Sequence, residues 1–207
     1  MSFALKRMGY NVVAIDAEPD PYLGIAESYG VDVVKCDLER DKLKVANADC
    51  AVFTEVLGHM HYYYVPSVLE KINRALKTRG HLIPTTPNIA SLFRRLKLLL
   101  GKQPIYRRHV REYTMEEDLE LIKGAGFNMV ESYYSLISDS TYINAIQEDY
   151  PGIRDYKDLI RITFKRPTTT NILKTLAYPL VKLKPSLRQS IIIIATKLKE
   201  PILRALK

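Results

Sequence analysis

Residues 51–88 read AVFTEVLGHMHYYYVPSVLEKINRALKTRGHLIPTTPN, and the hydrophobic period changes twice along them. Ala51, Val52 and Phe53 form a short apolar run that stops at Thr54 and Glu55. After a loop rich in His and Tyr, the residues Val65, Val68, Leu69, Ile72, Ala75 and Leu76 recur at spacings of three, four and seven, which is one face of a helix. Glu70, Lys71, Arg74 and Lys77 fall on the other face. Gly80 is the expected stop, and His81 to Thr86 reads as the next strand. Strand, loop, helix and strand at this length make one crossover of a parallel α/β sheet. Ligands gather at the C-terminal ends of such strands, so the loops after Phe53 and Thr86 are the first places to look for chemistry.

Working back toward the start, Asn11 to Ile15 reads as a buried strand ending on Asp16, Pro21 to Tyr29 as a helix, and Val31 to Cys36 as a further strand ending on Asp37. Two successive strands thus close on an acid, the residue type that accepts hydrogen bonds from ribose hydroxyls in nucleotide-binding sheets. In a dinucleotide-binding unit the glycine-rich turn lies about 20 residues ahead of that first acid. Asp16 has fifteen residues before it, so the turn and its strand are expected upstream of Met1. The sole GxG, Gly124-Ala125-Gly126, follows a helix (Met115 to Lys123) and reads as a helix stop.

Working forward, Ile89 to Leu100 is an amphipathic helix with Leu92, Phe93, Leu96, Leu99 and Leu100 on one side. A polar loop from Lys102 to Tyr113 carries His109 among arginines, Thr114 caps the next helix, and Phe127 to Ile137 reads as a strand. Ser190 to Ala195 is a buried strand expected to pair antiparallel beside it.

Length and composition set the bounds. The 207 residues suffice for one decorated α/β domain, and 47% hydrophobic with 26% charged residues lies in the range of soluble globular chains. No apolar run approaches the roughly 20 residues of a spanning helix. Cys36 and Cys50 lack metal-ligand or CxxC spacing and read as reduced core thiols of a cytoplasmic protein; no metal site is expected. The net charge of +8 lies almost wholly after Ser91, including Arg94, Arg95, Arg107, Arg108 and Arg111. Such a half suits an anionic partner or a solvated basic surface.

In this order the pieces resemble the class I S-adenosylmethionine-dependent methyltransferases, in particular the small-molecule group with an EVLEH-type loop after the fourth strand. GYNVVAID resembles that family's second strand, VVKCDLE the third, AVFTEVLGHM the fourth strand and loop, and VLEKINRALKTRGHLIPTTPN the following helix, strand and proline-asparagine turn. HVREYTMEEDLELIKGAGF resembles the approach to the sixth strand, and PSLRQSIIIIATK the last. The resemblance implies a Rossmann-like, mostly parallel sheet with an antiparallel last strand, truncated at its N-terminus. It divides the chain into a core over 1–137, a helical insertion over 138–184, and the last strand with a basic helix over 185–207.

S-adenosylmethionine is the implied cofactor, with Asp16 and Asp37 holding adenosine, Ala17 and Leu38 lining it, and Thr54 and Glu55 beside the sulfonium. His59 is the implied base; Tyr63, Arg108 and His109 would meet a small or glycan- or lipid-linked acceptor. His61 and His109 compete for the role of base. Two departures from the resembled family stand out: its first strand and glycine loop are absent, and Gly58 stands where it usually carries a second glutamate. The alternative function is a non-catalytic methyltransferase-like remnant or binding module with a basic surface for an anionic partner. A nicotinamide-dependent dehydrogenase shares the strand-end acid but not the His-bearing loop or the proline-asparagine turn.

Overall fold

The computed structural model describes residues 1–17, 21–135 and 156–198. In chain order its helices are α1 (Ser2–Arg7), α2 (Pro21–Ser28), α3 (Val65–Ala75), α4 (Leu92–Leu99), α5 (Met115–Gly124), α6 (Tyr156–Lys165) and α7 (Thr169–Leu183). The strands are β1 (Val13–Asp16), β2 (Asp32–Lys35), β3 (Ala48–Thr54), β4 (Leu76–Pro87), β5 (Phe127–Ser135) and β6 (Ser190–Lys197). The expected helical stretch before residue 156 and the basic tail beyond Leu198 lie outside the described residues.

The strands form two sheets. β1 and β2 pair in parallel, with Asp16 opposite Lys35. The second sheet has the order β3-β4-β6-β5: β3 and β4 run parallel, while β6 is antiparallel to both β4 and β5. This is the mixed α/β, Rossmann-like arrangement the sequence implies, including the antiparallel partnership of β6 and β5. Among the described residues, β1 pairs only with β2 and β3 only with β4, so each keeps one edge without a strand partner.

The larger sheet carries the main core. All six residues of the α3 stripe are buried, and Val65, Val68 and Leu69 are fully so. All but Ala75 pack with Phe53, Leu82, Ile122, Phe127, Ile191 and Ile193. Burying each such side chain contributes roughly 1.5–3 kcal/mol, which is why the three-and-four spacing fixes the roll of α3. The smaller sheet has its own cluster of Val12, Ala14, Ala26 and Val31. Contacts join the two: Leu38 packs against the main core, the Lys71 ammonium donates to the Leu38 and Asp41 carbonyls at 2.7 and 2.8 Å, and the His61 amide donates to Glu39 Oε1 at 2.7 Å.

Three expectations are corrected. Gly80 does not stop the helix: α3 ends at Ala75, and Gly80 lies buried within β4. A Cβ there would come within 2.9 Å of the Lys77 carbonyl oxygen, and Arg79 beside it has φ 65°. The register shift against β3 between Ala48 and Cys50 falls at the same place, so the glycine serves a β-bulge. Cys50 is exposed on β3, and only Cys36 is a buried thiol. On α4, Leu96, Leu99 and Leu100 are exposed rather than packed.

α5 begins with a full capping box between Thr114 and Glu117, and its next residue, Asp118, is buried against β4. Thr86 donates to Asp118 Oδ2 at 2.7 Å, while Oδ1 is buried without a hydrogen-bond partner. Burial pushes this carboxyl up from 3.8 to about 7, against the smaller opposing effect of the Thr86 bond. A raised carboxyl means the folded chain holds a proton the unfolded chain has lost, so stability falls as pH rises from about 4 to about 7. Asp118→Asn is therefore expected to unfold at higher urea than wild type at pH 8, by a few kcal/mol at about 1.4 per unit of displacement. Urea titrations should show that margin shrinking toward pH 4; a constant or reversed margin contradicts the assignment.

Candidate active site

Parallel pairing places the C-terminal ends of β1 and β2 together, so Asp16 and Asp37 stand at the same end of one sheet. Cys36 N donates to the Asp16 carbonyl at 2.8 Å, continuing the ladder to that point. The Asp37 carboxylate accepts the Glu39 amide at 2.9 Å and lies 3.6 Å from the Arg40 guanidinium, so it also shapes the turn that carries Leu38. Asp16 and Ala17 are exposed, and Leu38 is half-buried.

β3 and β4 end alongside one another in the same way, at Thr54 and Thr85. Glu55 follows with φ 58°, a left-handed backbone that costs a non-glycine residue on the order of 1–3 kcal/mol. Two bonds hold it there: Glu55 N donates to the Thr85 carbonyl at 2.8 Å, and the Thr85 hydroxyl donates to Glu55 Oε1 at 3.0 Å. The chain is thereby turned sharply at the strand tip, next to a 3₁₀ turn at Leu57–His59.

That turn meets the loop before α5. Gly58 O accepts Val110 N at 2.8 Å, and His59 Nδ1 lies 3.1 Å from the Arg108 carbonyl. Because a carbonyl can only accept, Nδ1 carries the proton and Nε2 of the neutral ring presents a lone pair. The His109 ring stands edge-on to His59, with centroids 4.6 Å apart, and its Nδ1 lies 2.7 Å from Glu112 Oε1. His109 is likewise left with Nε2 as its acceptor. Gly58 explains itself at this contact. A Cβ there would lie 3.3 Å from both His109 Cγ and the Arg111 carbonyl oxygen, so the family's usual glutamate would displace the His109 ring.

Glu112 is the residue that sequence reasoning missed. Its side chain is fully buried, and Oε1 accepts from Arg94 at 2.7 Å, from His109, and from Tyr106 N at 3.2 Å. Oε2 is buried without a hydrogen-bond partner. Arg94 also donates to the Pro104 carbonyl. The only sequence signal was the three-residue spacing of His109 and Glu112 inside a basic loop.

The remaining candidates divide. His61 sits over Glu39, at 3.1 Å, where it helps join the two sheets. Tyr62 and Tyr63 are exposed; Tyr63 packs edge-wise on Tyr62 and tilted on Tyr64, and Arg111 lies over the Tyr62 ring. Arg108 is exposed, with its carbonyl committed to His59. Arg95 and Arg111 are tied to the Ala90 carbonyl and to Glu117. Asn88 of the proline-asparagine turn is structural: its amide donates to the Ser186 and Arg188 carbonyls, and its Oδ1 accepts Ala90 N. Among the described residues no group of His, Cys, Asp and Glu could hold a metal ion.

The methyltransferase-domain family matches residues 3–132, and the chain belongs to it. Its fold is similar to that of an S-adenosylmethionine-dependent methyltransferase from Methanosarcina mazei, with 13% identity and TM-score 0.60, covering 96% of this chain and 87% of that one. A possible histamine N-methyltransferase from Thermotoga maritima has 18% identity and TM-score 0.55, covering 95% and 75%. A phosphoethanolamine N-methyltransferase from Haemonchus contortus, solved with S-adenosylhomocysteine, has 15% identity and TM-score 0.56, covering 95% of this chain and 46% of that one. No protein of curated function matches the sequence.

The family's cofactor is S-adenosylmethionine, and the residues present fit its adenosine half: two carboxylates at neighbouring strand ends, beside Ala17 and Leu38. For the methionine half the described chain offers the Thr54 and Glu55 tip but no glycine-rich turn after a strand. Arg94→Met removes a cationic partner of a fully buried carboxylate, and is expected to cost roughly 3–5 kcal/mol in urea unfolding. Glu112→Gln, which keeps the shape, should cost less. Unfolding of Arg94→Met at the wild-type urea concentration contradicts the arrangement.

Proposed function

We propose that this chain transfers a methyl group from S-adenosylmethionine to a small or glycan- or lipid-linked acceptor, with His59 as the base that takes the acceptor's proton. The observation that carries the reading is the edge-on pair of His59 and His109 beside the β3 tip, both rings held through Nδ1. When bound, the cofactor supplies a methyl group activated by a sulfonium. Asp16 and Asp37 hold adenosine, Ala17 and Leu38 line it, and Thr54 and Glu55 flank the reacting end. His59 is exposed and meets the acceptor; His109, half-buried and anchored by Glu112, fixes its edge. Tyr63 and Arg108, both exposed, border the acceptor. Methyl transfer is an in-line displacement, so the protein's work is alignment and proton removal.

Two free thiols and the absence of a spanning helix among the described residues support a cytoplasmic setting. The basic half after Ser91 supports an anionic partner or acceptor. A second reading, a non-catalytic binding module, rests on the basic surface of the same half, which suits an anionic partner without any transfer step.

The test is calorimetry with S-adenosylhomocysteine, then release of S-adenosylhomocysteine from S-adenosylmethionine in the presence of amine, phenol and lipid-linked sugar acceptors. Asp16→Ala is expected to weaken cofactor binding about tenfold, the value of one charge-assisted hydrogen bond. His59→Ala should leave binding intact and lower turnover about 10²-fold or more. Unchanged turnover removes His59 from the mechanism. Absence of both binding and transfer in the wild-type chain contradicts the proposal for this chain.

A further inference from the structure

α7 is built the wrong way round for a helix that meets water on its outer side. Asn171, Thr175 and Val181 are its buried residues, so its packed face is partly polar. Ile172, Leu173, Leu176, Leu180 and Leu183 are exposed, from 42% to 83%. At 3.6 residues per turn these five fall within an arc of about 100°, a continuous apolar stripe on the solvent side. The buried pair Leu159 and Ile162 of α6 packs with Phe93 of α4 and Tyr178 of α7, and the C-terminal end of α4 exposes Leu98, Leu99 and Leu100 by 57% to 82%.

The stretch of sequence that contains α7 carries charge of one sign. Between Leu159 and Leu198 the sequence contains no Asp or Glu against ten Lys and Arg. Lys182 and Lys184 are exposed where α7 ends, flanking Leu183. An apolar stripe bordered by cations, on a helix too short and too polar to span, is the construction of a helix that lies in a bilayer interface. Its leucines enter the acyl boundary while the lysine stems reach back to anionic headgroups. A second copy of the chain is disfavoured, because an isologous contact through this face brings two basic surfaces together.

We propose that the solvent face of α7 docks this protein in the plane of an anionic membrane surface. The proposal deepens the reading of the basic C-terminal half as the side that meets an anionic partner. Its readout requires neither cofactor nor acceptor, so its failure leaves methyl transfer standing, and the reverse holds too.

The experiment is co-sedimentation of the whole chain with vesicles of phosphatidylcholine alone or with about a third phosphatidylglycerol. The chain is expected to bind the anionic vesicles at least tenfold more tightly, and to be released as salt rises. Leu176→Glu with Leu183→Glu should abolish binding without changing the melting temperature, since both side chains are exposed. Lys182→Glu with Lys184→Glu should weaken binding to anionic vesicles alone. Any one of three results overturns the proposal: no sedimentation of wild type with anionic vesicles, unaltered sedimentation of the leucine variant, or a wild-type dimer in solution that the leucine variant dissociates.

Discussion

A buried carboxylate sets the terms for the candidate site. Glu112 has no access to water, and an ion in that position is tolerable only if donors surround it. Arg94, His109 and the Tyr106 amide supply them, the first from α4 and the other two from the same loop before α5 that carries Glu112. Neutralising one charge thus ties α4 to the loop and folds the loop on itself. The Arg94 ion pair pins α4 to the loop, and the His109 bond turns that ring toward His59. A side chain at Gly58 would press on the His109 ring and the Arg111 carbonyl, which would have to give by a few tenths of an ångström.

The second constraint is the parallel pairing of strands in two separate sheets. β1 with β2, and β3 with β4, each align their C-terminal ends, which puts two acids at one pair of tips and the Thr54-Glu55 turn at the other. Lys71, His61 and Leu38 tie the pairs to one another through contacts with the loop after β2. Glu55 turns the chain at the β3 tip in a left-handed backbone held by two bonds to Thr85. The cavity of about 480 Å³ at the other end of the larger sheet, lined by Thr78, His81, Asn128 and Lys197 among others, is remote from all of these groups.

Most of the framework was legible because it rests on local patterns. The α3 stripe, the Thr114 cap and the apolar strands each declare themselves within a dozen residues, and the order of pieces carried the fold. What escaped was non-local. Gly80 looks like a helix stop until the neighbouring backbone of Lys77 and Ala48 is seen crowding it. Cys50 alternates to the open side of β3, a fact that depends on which strands flank it. Glu112 could not be recognised without knowing that Arg94 and His109 converge on it. The leucines of α4 and α7 follow helical spacing, and spacing alone does not say which face the core receives.

In this molecule α4 has two duties, its arginine inside the candidate site and its leucines toward solvent. The central claim is that Glu112 sets the proton on His109 and, through it, the geometry of the histidine pair. Long-range ¹H–¹⁵N NMR spectroscopy of the His109 ring tests this directly. The account predicts a protonated Nδ1 bonded to Glu112 with Nε2 bare in the neutral ring; a neutral ring carrying its proton on Nε2, with Nδ1 bare, would contradict it.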